Sequence, residues 1–239
     1  MGAISYSFIV LMQVTALLSA SPSKCKPSDS NCLKAAAQTM MPRFMDGMPE
    51  LGTAPLDVMH VDETKVDLAG LKLNMSHSDI KGLRKAVIDK IKFDMAKKQL
   101  VLIYHTDIDF TGQYKAAGRL LILPISGDGD FKMELKNYQS EMVMPFTIVK
   151  NKEGKDTIQL KDFKSKFEIK DNAHYAMTNL FNGNKVLSDA MLKFMNENWK
   201  ILSQEFGGAV LVKPNKNIFN AIKKYLQSRP LDEIVDVQV

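Results

Sequence analysis

A segment near the C-terminus constrains the fold of this 239-residue chain more than any other feature. Between residues 187 and 202, apolar side chains recur at helical spacing, whereas charged and amide side chains occupy the opposite face. Lys193 lies four residues from both Asp189 and Glu197, an arrangement that stabilises a solvated helix face. The pattern predicts one long or broken amphipathic helix over 179–229, whose apolar face needs a partner surface. That face comprises Leu187, Met191, Phe194, Met195, Ile201 and Leu202.

Two kinds of residue interrupt this helical pattern. Gly207, Gly208 and Pro214 should kink or break the helix before Ile218 resumes the apolar face. Asn198 lies inside the apolar stripe, where its polar side chain needs a hydrogen-bonding partner. That partner can be neighbouring backbone or a bound ligand.

The N-terminus has the pattern of a secretory signal peptide. Residues 4–18 form an almost uncharged apolar run, which Gln13 interrupts and which is too short for a comfortable membrane span. Small residues follow where a signal peptidase would cut, although no Lys or Arg precedes the run. We therefore expect a signal peptide at 1–20 and a single domain at 21–239, secreted and extracellular, without stable membrane insertion.

Two cysteines, Cys25 and Cys32, follow the predicted cleavage site. In a secreted protein this pair predicts a structural disulfide, since further metal ligands are not close by. Asp29 and its neighbours can cap a short helix that reaches about Met41 and ends at Pro42. Asn74 begins an Asn-Met-Ser glycosylation sequon, which can be used only if the asparagine is exposed.

Period-two alternation of apolar side chains replaces helical spacing between residues 58 and 169. It is clearest where Met142, Met144, Phe146 and Ile148 share one face. The pattern predicts a meander of antiparallel strands. The predicted strands span 58–73, 88–95, 99–110, 112–125, 131–138, 141–149 and 157–169.

Two local irregularities lie within this strand region. The phase of the alternation changes between Leu160 and Phe163, which predicts a β-bulge that bends the last strand. Gly127-Asp128-Gly129 predicts a hairpin turn, because a phosphate loop would need a following helix.

Composition narrows the classes of partner. The net charge of +5 is modest, and the lysines of the chain are interleaved with acidic residues, so we expect no nucleic-acid partner. Weak attraction of the protein to anionic lipid stays an open alternative. All but Met1 and Met12 of the fifteen methionines lie beyond the signal peptide. Flexible thioethers suit an adaptable cavity, although each methionine can equally fill a gap in the core.

Several motifs are specific when their order and spacing are taken together. They are the Cys25 and Cys32 pair, the Gly- and Pro-rich segment 47–57, Ile80-Lys81-Gly82-Leu83, Gly112-Gln113-Tyr114 with Gly118, Leu-Pro-Ile-Ser-Gly-Asp-Gly at 123–129, and Asn-Leu-Phe-Asn-Gly-Asn at 179–184 with Leu187. Over essentially the whole mature length, the chain resembles the insect takeout and juvenile-hormone-binding protein family. The resemblance implies an α+β fold, in which a highly curved antiparallel sheet wraps a long C-terminal helix and encloses an apolar tunnel, as in tubular lipid-binding domains.

The chain departs from the family pattern in two places. It lacks the second disulfide of the blood-borne juvenile-hormone carriers, which places it nearer the takeout branch. Leu231 stands where the family's Pro-aromatic-Asp ending has an aromatic residue, so we expect that end of the tunnel to be less tightly closed.

The resemblance implies a carrier that reversibly binds a long hydrophobic small molecule, such as a lipid, an isoprenoid or a juvenile-hormone-like ester. We expect a monomer without a cofactor; docking on membranes or microbial lipid surfaces is the alternative. The predicted ligand contacts face the inside of the sheet or lie on the helix, where each residue could instead be plain core. They are Leu121, Leu123, Met133, Leu135, Met142, Met144, Phe146, Leu187, Met191, Phe194 and Leu202, with Tyr104, Tyr114, Tyr138 and Asn198 as polar contacts.

The sequence gives no support for an enzyme. It contains no Gly-x-Ser-x-Gly nucleophile motif, no His-Glu-x-x-His motif and no cysteine beyond the pair. Its four histidines are isolated and lack metal-ligand spacing, so we expect no metal site.

Overall fold

The computed structural model describes residues 24–236, so the signal peptide predicted at 1–20 lies outside the described residues. This part of the chain contains seven strands and four α-helices. In chain order they are α1 (Ser30–Asp46), β1 (Met59–Leu68), β2 (Leu71–Lys81), β3 (Val87–Asp94), β4 (Gln99–Leu120), β5 (Leu123–Lys150), β6 (Asp156–Leu160), β7 (Lys164–Met177), α2 (Lys185–Glu197), α3 (Trp199–Gln227) and α4 (Leu231–Ile234).

All seven strands belong to one antiparallel sheet that is built on the long pair β4 and β5. Shorter strands pair with successive parts of this ribbon. β3 and β2 pair with the first and second halves of β4, respectively. Along β5, β7 pairs with the middle of the strand and β6 pairs with its end. Register shifts between Thr106 and Ile108 and between Lys136 and Tyr138 bend the long strands.

The sheet curls around α3, which contacts β1 at one edge and both β6 and β7 at the other. Inward-facing side chains of β5 alternate as predicted, and Met142, Met144 and Phe146 are at most 2% exposed. The predicted α+β architecture, a long C-terminal helix inside a curved antiparallel sheet, is confirmed.

The predicted strand boundaries were wrong wherever a hairpin or a long strand was involved. The predicted strand 58–73 is two strands that turn at Ala69 and Gly70. Predicted strands 99–110 and 112–125 are one strand, β4, followed by a turn at Leu121 and Ile122. Predicted strands 131–138 and 141–149 merge into β5. The alternation of inward- and outward-facing side chains can continue unchanged through a tight turn. The sequence pattern therefore does not show where the chain reverses direction.

The hairpin turn predicted at Gly127-Asp128-Gly129 was also wrong, because these residues lie inside β5. The glycines allow another chain segment to approach closely. A Cβ on Gly127 would lie 2.9 Å from the Asn179 carbonyl oxygen, and one on Gly129 would lie 2.6 Å from Thr178 Oγ1. Close approach, rather than chain reversal, therefore explains this motif.

The change of phase near residue 161 ends a strand instead of forming the predicted bulge. β6 ends at Leu160 and pairs with the end of β5, whereas β7 begins at Lys164 and pairs with its middle.

The C-terminal helix is broken at a different residue from those predicted. α2 ends at Glu197, and the next residue, Asn198, caps the helix, with its side-chain amide donating to the Phe194 carbonyl at 2.8 Å. Gly207, Gly208 and Pro214 all lie within α3. Burial of Pro214 and of neighbouring apolar side chains offsets the one hydrogen bond that the proline removes.

The N-terminal helix likewise continues past Pro42 to Asp46, because Met45 is buried and the Phe44 ring packs on Tyr225. Asp29 caps this helix by accepting a hydrogen bond from the Cys32 amide, as predicted.

The predicted disulfide between Cys25 and Cys32 is present. The backbone of Cys25 also forms a β-bridge with Val235. This β-bridge brings the two ends of the described chain together. Two of the quoted motifs meet at Asp57, whose carboxylate accepts hydrogen bonds from the amides of Gly82 and Arg84 at 3.1 and 2.7 Å.

Candidate ligand-binding site

Two apolar cavities lie between the sheet and the helices. The first, the hairpin-side cavity, has a volume of about 120 Å³ and lies toward the β4–β5 turn. The second, the α1-side cavity, has a volume of about 180 Å³ and lies beneath α1. Their described lining residues do not overlap, so the space along α3 is divided into two compartments.

The hairpin-side cavity is lined by β2, β4, β5 and β7 on the sheet and by the first half of α3. Its few hydroxyl groups are already paired. Tyr114 donates to the Thr178 carbonyl at 2.7 Å, and the Tyr175 hydroxyl lies 3.1 Å from Ser203 Oγ, which donates to the Trp199 carbonyl. Burial raises the pKa of Tyr175 and raises that of Tyr114 to about 12, so both phenols are neutral at physiological pH.

The α1-side cavity is closed on one side by α1, whose apolar face includes Leu33, Ala36 and Met40. Gln38 fastens α1 to β3, since its amide donates to the Ala86 carbonyl and accepts from the Ile88 amide at 3.0 and 2.9 Å. Two such hydrogen bonds hold the helix against the edge of β3 and so define the cavity wall.

A partition separates the two cavities. On β5, Tyr138, Ser140 and Met142 lie between the lining residues of the two compartments; on α3, Pro214 and Asn215 do so. All five are buried.

The structure distributes the predicted ligand contacts unevenly. Met133, Leu135, Leu202 and Tyr114 line the hairpin-side cavity, and Met144 and Tyr104 line the α1-side cavity. The remaining predicted contacts are placed as follows: Met142, Phe146, Met191 and Tyr138 are buried outside the two lining sets, Leu121, Leu123 and Phe194 are half-buried against the core, Leu187 is 48% exposed, and Asn198 bonds to backbone. Contact of these residues with a ligand stays a prediction.

Sequence reasoning missed the α1 face and the second half of α3 as cavity walls. Leu33, Ala36 and Met40 showed helical spacing, and Ile218 and Ile222 showed a resumed apolar face, but neither pattern indicates what the face covers. Tyr175 and Ser203 were missed as well.

Asn74 of the predicted glycosylation sequon is half-buried within β2, which pairs with β1 and β4 on its two sides. Its Oδ1 is buried and has no hydrogen-bond partner among the described residues. Glycosylation of Asn74 stays a prediction.

The histidines and helices of the described chain were also assessed for metal binding and membrane spanning. His105 Nδ1 lies 2.9 Å from the Asp89 carboxylate and His60 pairs with Asp79. Within residues 24–236, no three or more His, Cys, Asp or Glu side chains are grouped as a metal site would require. Each helix of that range is too short or too polar to cross a membrane.

The described chain is thus an α+β protein in which a long helix lies inside a curled antiparallel sheet, with apolar cavities between helix and sheet. Residues 7–236 match the family described as haemolymph juvenile hormone binding protein (JHBP), and the chain belongs to this family.

Solved and curated relatives agree with this assignment. The crystal structure of Takeout 1 from Epiphyas postvittana superimposes with a TM-score of 0.86 at 43% identity, covering 90% of this chain and 99% of that one. The circadian clock-controlled protein daywake of Drosophila melanogaster is 30% identical over 231 residues, which are 89% of this chain and 86% of daywake. The daywake protein of Drosophila yakuba is 30% identical over 217 residues. The predicted takeout and juvenile-hormone-binding resemblance is confirmed.

Proposed function

We propose that this protein is a secreted, monomeric carrier that reversibly binds a long hydrophobic small molecule: a lipid, an isoprenoid or a juvenile-hormone-like ester. The observation that carries this proposal is the pair of apolar cavities along α3, in the fold of a family described by hormone binding. The disulfide between Cys25 and Cys32 supports an extracellular location, because such bonds persist in oxidising compartments.

Apolar burial alone can supply the required affinity. Burying a sixteen-carbon chain at about 0.8 kcal/mol per methylene contributes roughly 12 kcal/mol. Association costs of several kcal/mol leave dissociation constants in about the micromolar to nanomolar range. Because the cavity walls are almost entirely apolar, such a site selects a ligand by length and width more than by its polar group.

Mass spectrometry of the secreted protein tests the proposal. The protein is purified, extracted with organic solvent, and compared with the same protein after delipidation and reloading with a fluorescent fatty acid. A co-purifying apolar molecule at near one per chain supports a carrier. A protein that yields no such molecule and binds no fluorescent fatty acid contradicts it. N-terminal sequencing of the same sample and its sedimentation coefficient test the cleaved signal and the monomer.

Two variants of α1 test whether the fatty acid binds in the α1-side cavity. Ala36 lines that cavity, whereas its neighbour Ala35 is exposed. Ala36→Phe should weaken fluorescent fatty-acid binding by filling the cavity, and Ala35→Phe should not. Thermal unfolding of both variants shows whether a loss of binding reflects a loss of folding.

A specific surface favours docking on lipid as a second candidate function. The β1–β2 and β4–β5 turns lie side by side, since the Arg119 amide donates to the Gly70 carbonyl at 3.0 Å. At these turns Ile122 is 83% exposed and Leu68 is 40% exposed. Lys72 and Arg119 are exposed and form no ion pair within the described residues. Exposed apolar side chains can insert into a lipid surface, and neighbouring unpaired cationic side chains are attracted to anionic lipid headgroups, so these turns are suited to an anionic membrane surface.

Liposome flotation tests the second candidate. Binding to vesicles of phosphatidylcholine with phosphatidylserine should decrease at high salt and in Ile122→Asp. Val149→Asp is the matched control, because Val149 is an exposed apolar residue at the other end of β5. Equal behaviour of the two variants, or no binding at low salt, excludes docking through these turns.

A further inference from the structure

Exposed apolar side chains gather at the end of the sheet that carries the β1–β2 and β4–β5 turns. Ile122 and Leu68 at these turns are 83% and 40% exposed. Val186 and Leu187, in the first turn of α2, are 78% and 48% exposed. Large apolar side chains in contact with water are unfavourable, so a cluster of them indicates a surface that meets an apolar partner.

Two contacts place the first turn of α2 at this same end. Leu180 forms a β-bridge with Gly127, which lies four residues after the start of β5. The hydroxyl of Ser188 in α2 donates to the Leu180 carbonyl at 2.7 Å. α2 therefore begins close to the first residues of β5, and its exposed valine and leucine add to the apolar surface at the turns.

The hairpin-side cavity ends directly behind the two turns. Leu71 is the first residue of β2 and Leu120 is the last residue of β4; both line the cavity and are at most 5% exposed. The next two inward-packing residues, Leu121 and Leu123, are half-buried against the core. Apolar side chains thus lead from the cavity wall to the exposed Ile122.

The α1-side cavity has a charged rim instead. Glu233 lines that cavity and lies 3.5 Å from Arg229, whose guanidinium lies 5.4 Å from the centroid of the Tyr225 ring. Placing this ion pair in the apolar layer of a membrane would remove its hydration, which is unfavourable. The turns carry Lys72 and Arg119 beside their apolar side chains, where anionic headgroups would lie.

Contact with lipid at this end would remove the main barrier to release of a long apolar ligand. A ligand that leaves through water must first expose its whole apolar surface to water. A ligand that leaves into a docked bilayer passes from one apolar environment to another. The position of the cavity behind the turns therefore matters for how fast the ligand is delivered.

We propose that this protein exchanges its ligand directly with anionic phospholipid membranes, through the end of the hairpin-side cavity at the β1–β2 and β4–β5 turns. This inference rests on the proposed carrier function and on docking through these turns, and it joins the two as steps of one transfer. The ligand passes between cavity and bilayer without entering bulk water.

Transfer kinetics test the exchange. Protein loaded with anthroyloxy-stearic acid is mixed with vesicles of phosphatidylcholine and phosphatidylserine that contain a quenching NBD lipid, and the loss of fluorescence is followed by stopped flow. Direct exchange requires a collision, so the transfer rate should rise in proportion to the vesicle concentration and fall at high salt. Release through water would give the same rate at every vesicle concentration.

Variants of the turns and of α2 should slow the transfer. Ile122→Asp and Val186→Asp should each lower the rate at a fixed vesicle concentration about tenfold, because each removes one aliphatic side chain from the lipid contact. Their affinity for the probe should equal that of the wild type, since neither residue lines a cavity. Val149→Asp is the control and should keep the wild-type rate, because Val149 is exposed at the other end of β5.

Both substitutions are at exposed positions, and an aspartate in the first turn of α2 suits a helix N-terminus. Thermal unfolding of each variant checks that the fold is kept.

The possible results separate the proposals. If the wild-type protein binds no probe, the carrier function fails and direct exchange fails with it. If the probe binds but its transfer rate is independent of vesicle concentration, the carrier stands and direct exchange is wrong. If the rate depends on vesicle concentration but Ile122→Asp and Val186→Asp transfer as fast as Val149→Asp, exchange does not occur at these turns.

Discussion

Two adjacent glycines in α3 provide a sensitive test of the packing between helix and sheet. A Cβ added to Gly207 would lie 2.5 Å from Cζ of the Phe167 ring, whereas one added to Gly208 would have no atom within 4 Å. Both glycines lie inside the same helix. Replacing each with alanine therefore changes helix propensity equally and differs mainly in the contact with Phe167.

The expected stability changes follow from these contacts. Alanine is favoured over glycine inside a helix by about 0.5–1 kcal/mol, so Gly208→Ala should raise the free energy of unfolding by that amount. Gly207→Ala has the same gain, offset by overpacking of about 1–3 kcal/mol. The two variants should thus differ by about 1–3 kcal/mol, which corresponds to about 2–12 °C in the unfolding midpoint of a chain of this size.

The same clash should affect binding, because Phe167 lines the hairpin-side cavity and stacks on Tyr138. A displaced Phe167 ring either enters the cavity or leaves Tyr138. We expect Gly207→Ala to bind a fluorescent apolar probe more weakly than the wild type and Gly208→Ala to bind it equally. Urea unfolding and probe titration measure both effects. If the two variants are equally stable and bind equally, α3 does not contact Phe167 as described.

Other predictions concern the disulfide, a loop anchor and a buried phenol. Replacing Cys25 and Cys32 with serine should lower the free energy of unfolding by about 2.5 kcal/mol in denaturant titrations, and reductant should then have no further effect. Asp57→Ala should cost about 2 kcal/mol because two backbone amides lose their acceptor, whereas an unchanged midpoint would show that water replaces it. The pKa of Tyr138 is raised from 10.0 to about 12, so its stabilising contribution is complete below pH 10 and is lost as the pH rises to 12. Across that range, urea titrations should show the wild type losing about 2 kcal/mol relative to Tyr138→Phe; parallel pH profiles would refute the assignment.

Much of the architecture could be predicted because its signals are local. Helical spacing identified the apolar faces of α1 and α3, and alternation identified the inward side of β5 around Met142 and Met144. The Asp29 cap and the Cys25–Cys32 bridge also depend on residues close in sequence. The pairing of strands was not predictable in the same way, because the turn between β4 and β5 at Leu121 and Ile122 does not interrupt the alternation of apolar and polar residues.

The candidate site could be predicted only in part. Met133, Leu135 and Met144 were expected to face inward and do line cavities, whereas Met142 faces inward and is fully packed. Period-two spacing determines the side that a residue faces, but the distance between helix and sheet determines whether space is left there.

By itself, the sequence of this protein determined which regions are helical and which are extended, its disulfide and its family, because periodicity and short motifs act over a few residues. Tertiary structure alone decided that Gly127 and Gly129 admit residues 178–180, that the helix breaks at Asn198, and that Tyr138, Ser140 and Met142 lie buried between the two cavities. Each of these depends on segments far apart in the chain that meet only when the sheet curls around α3.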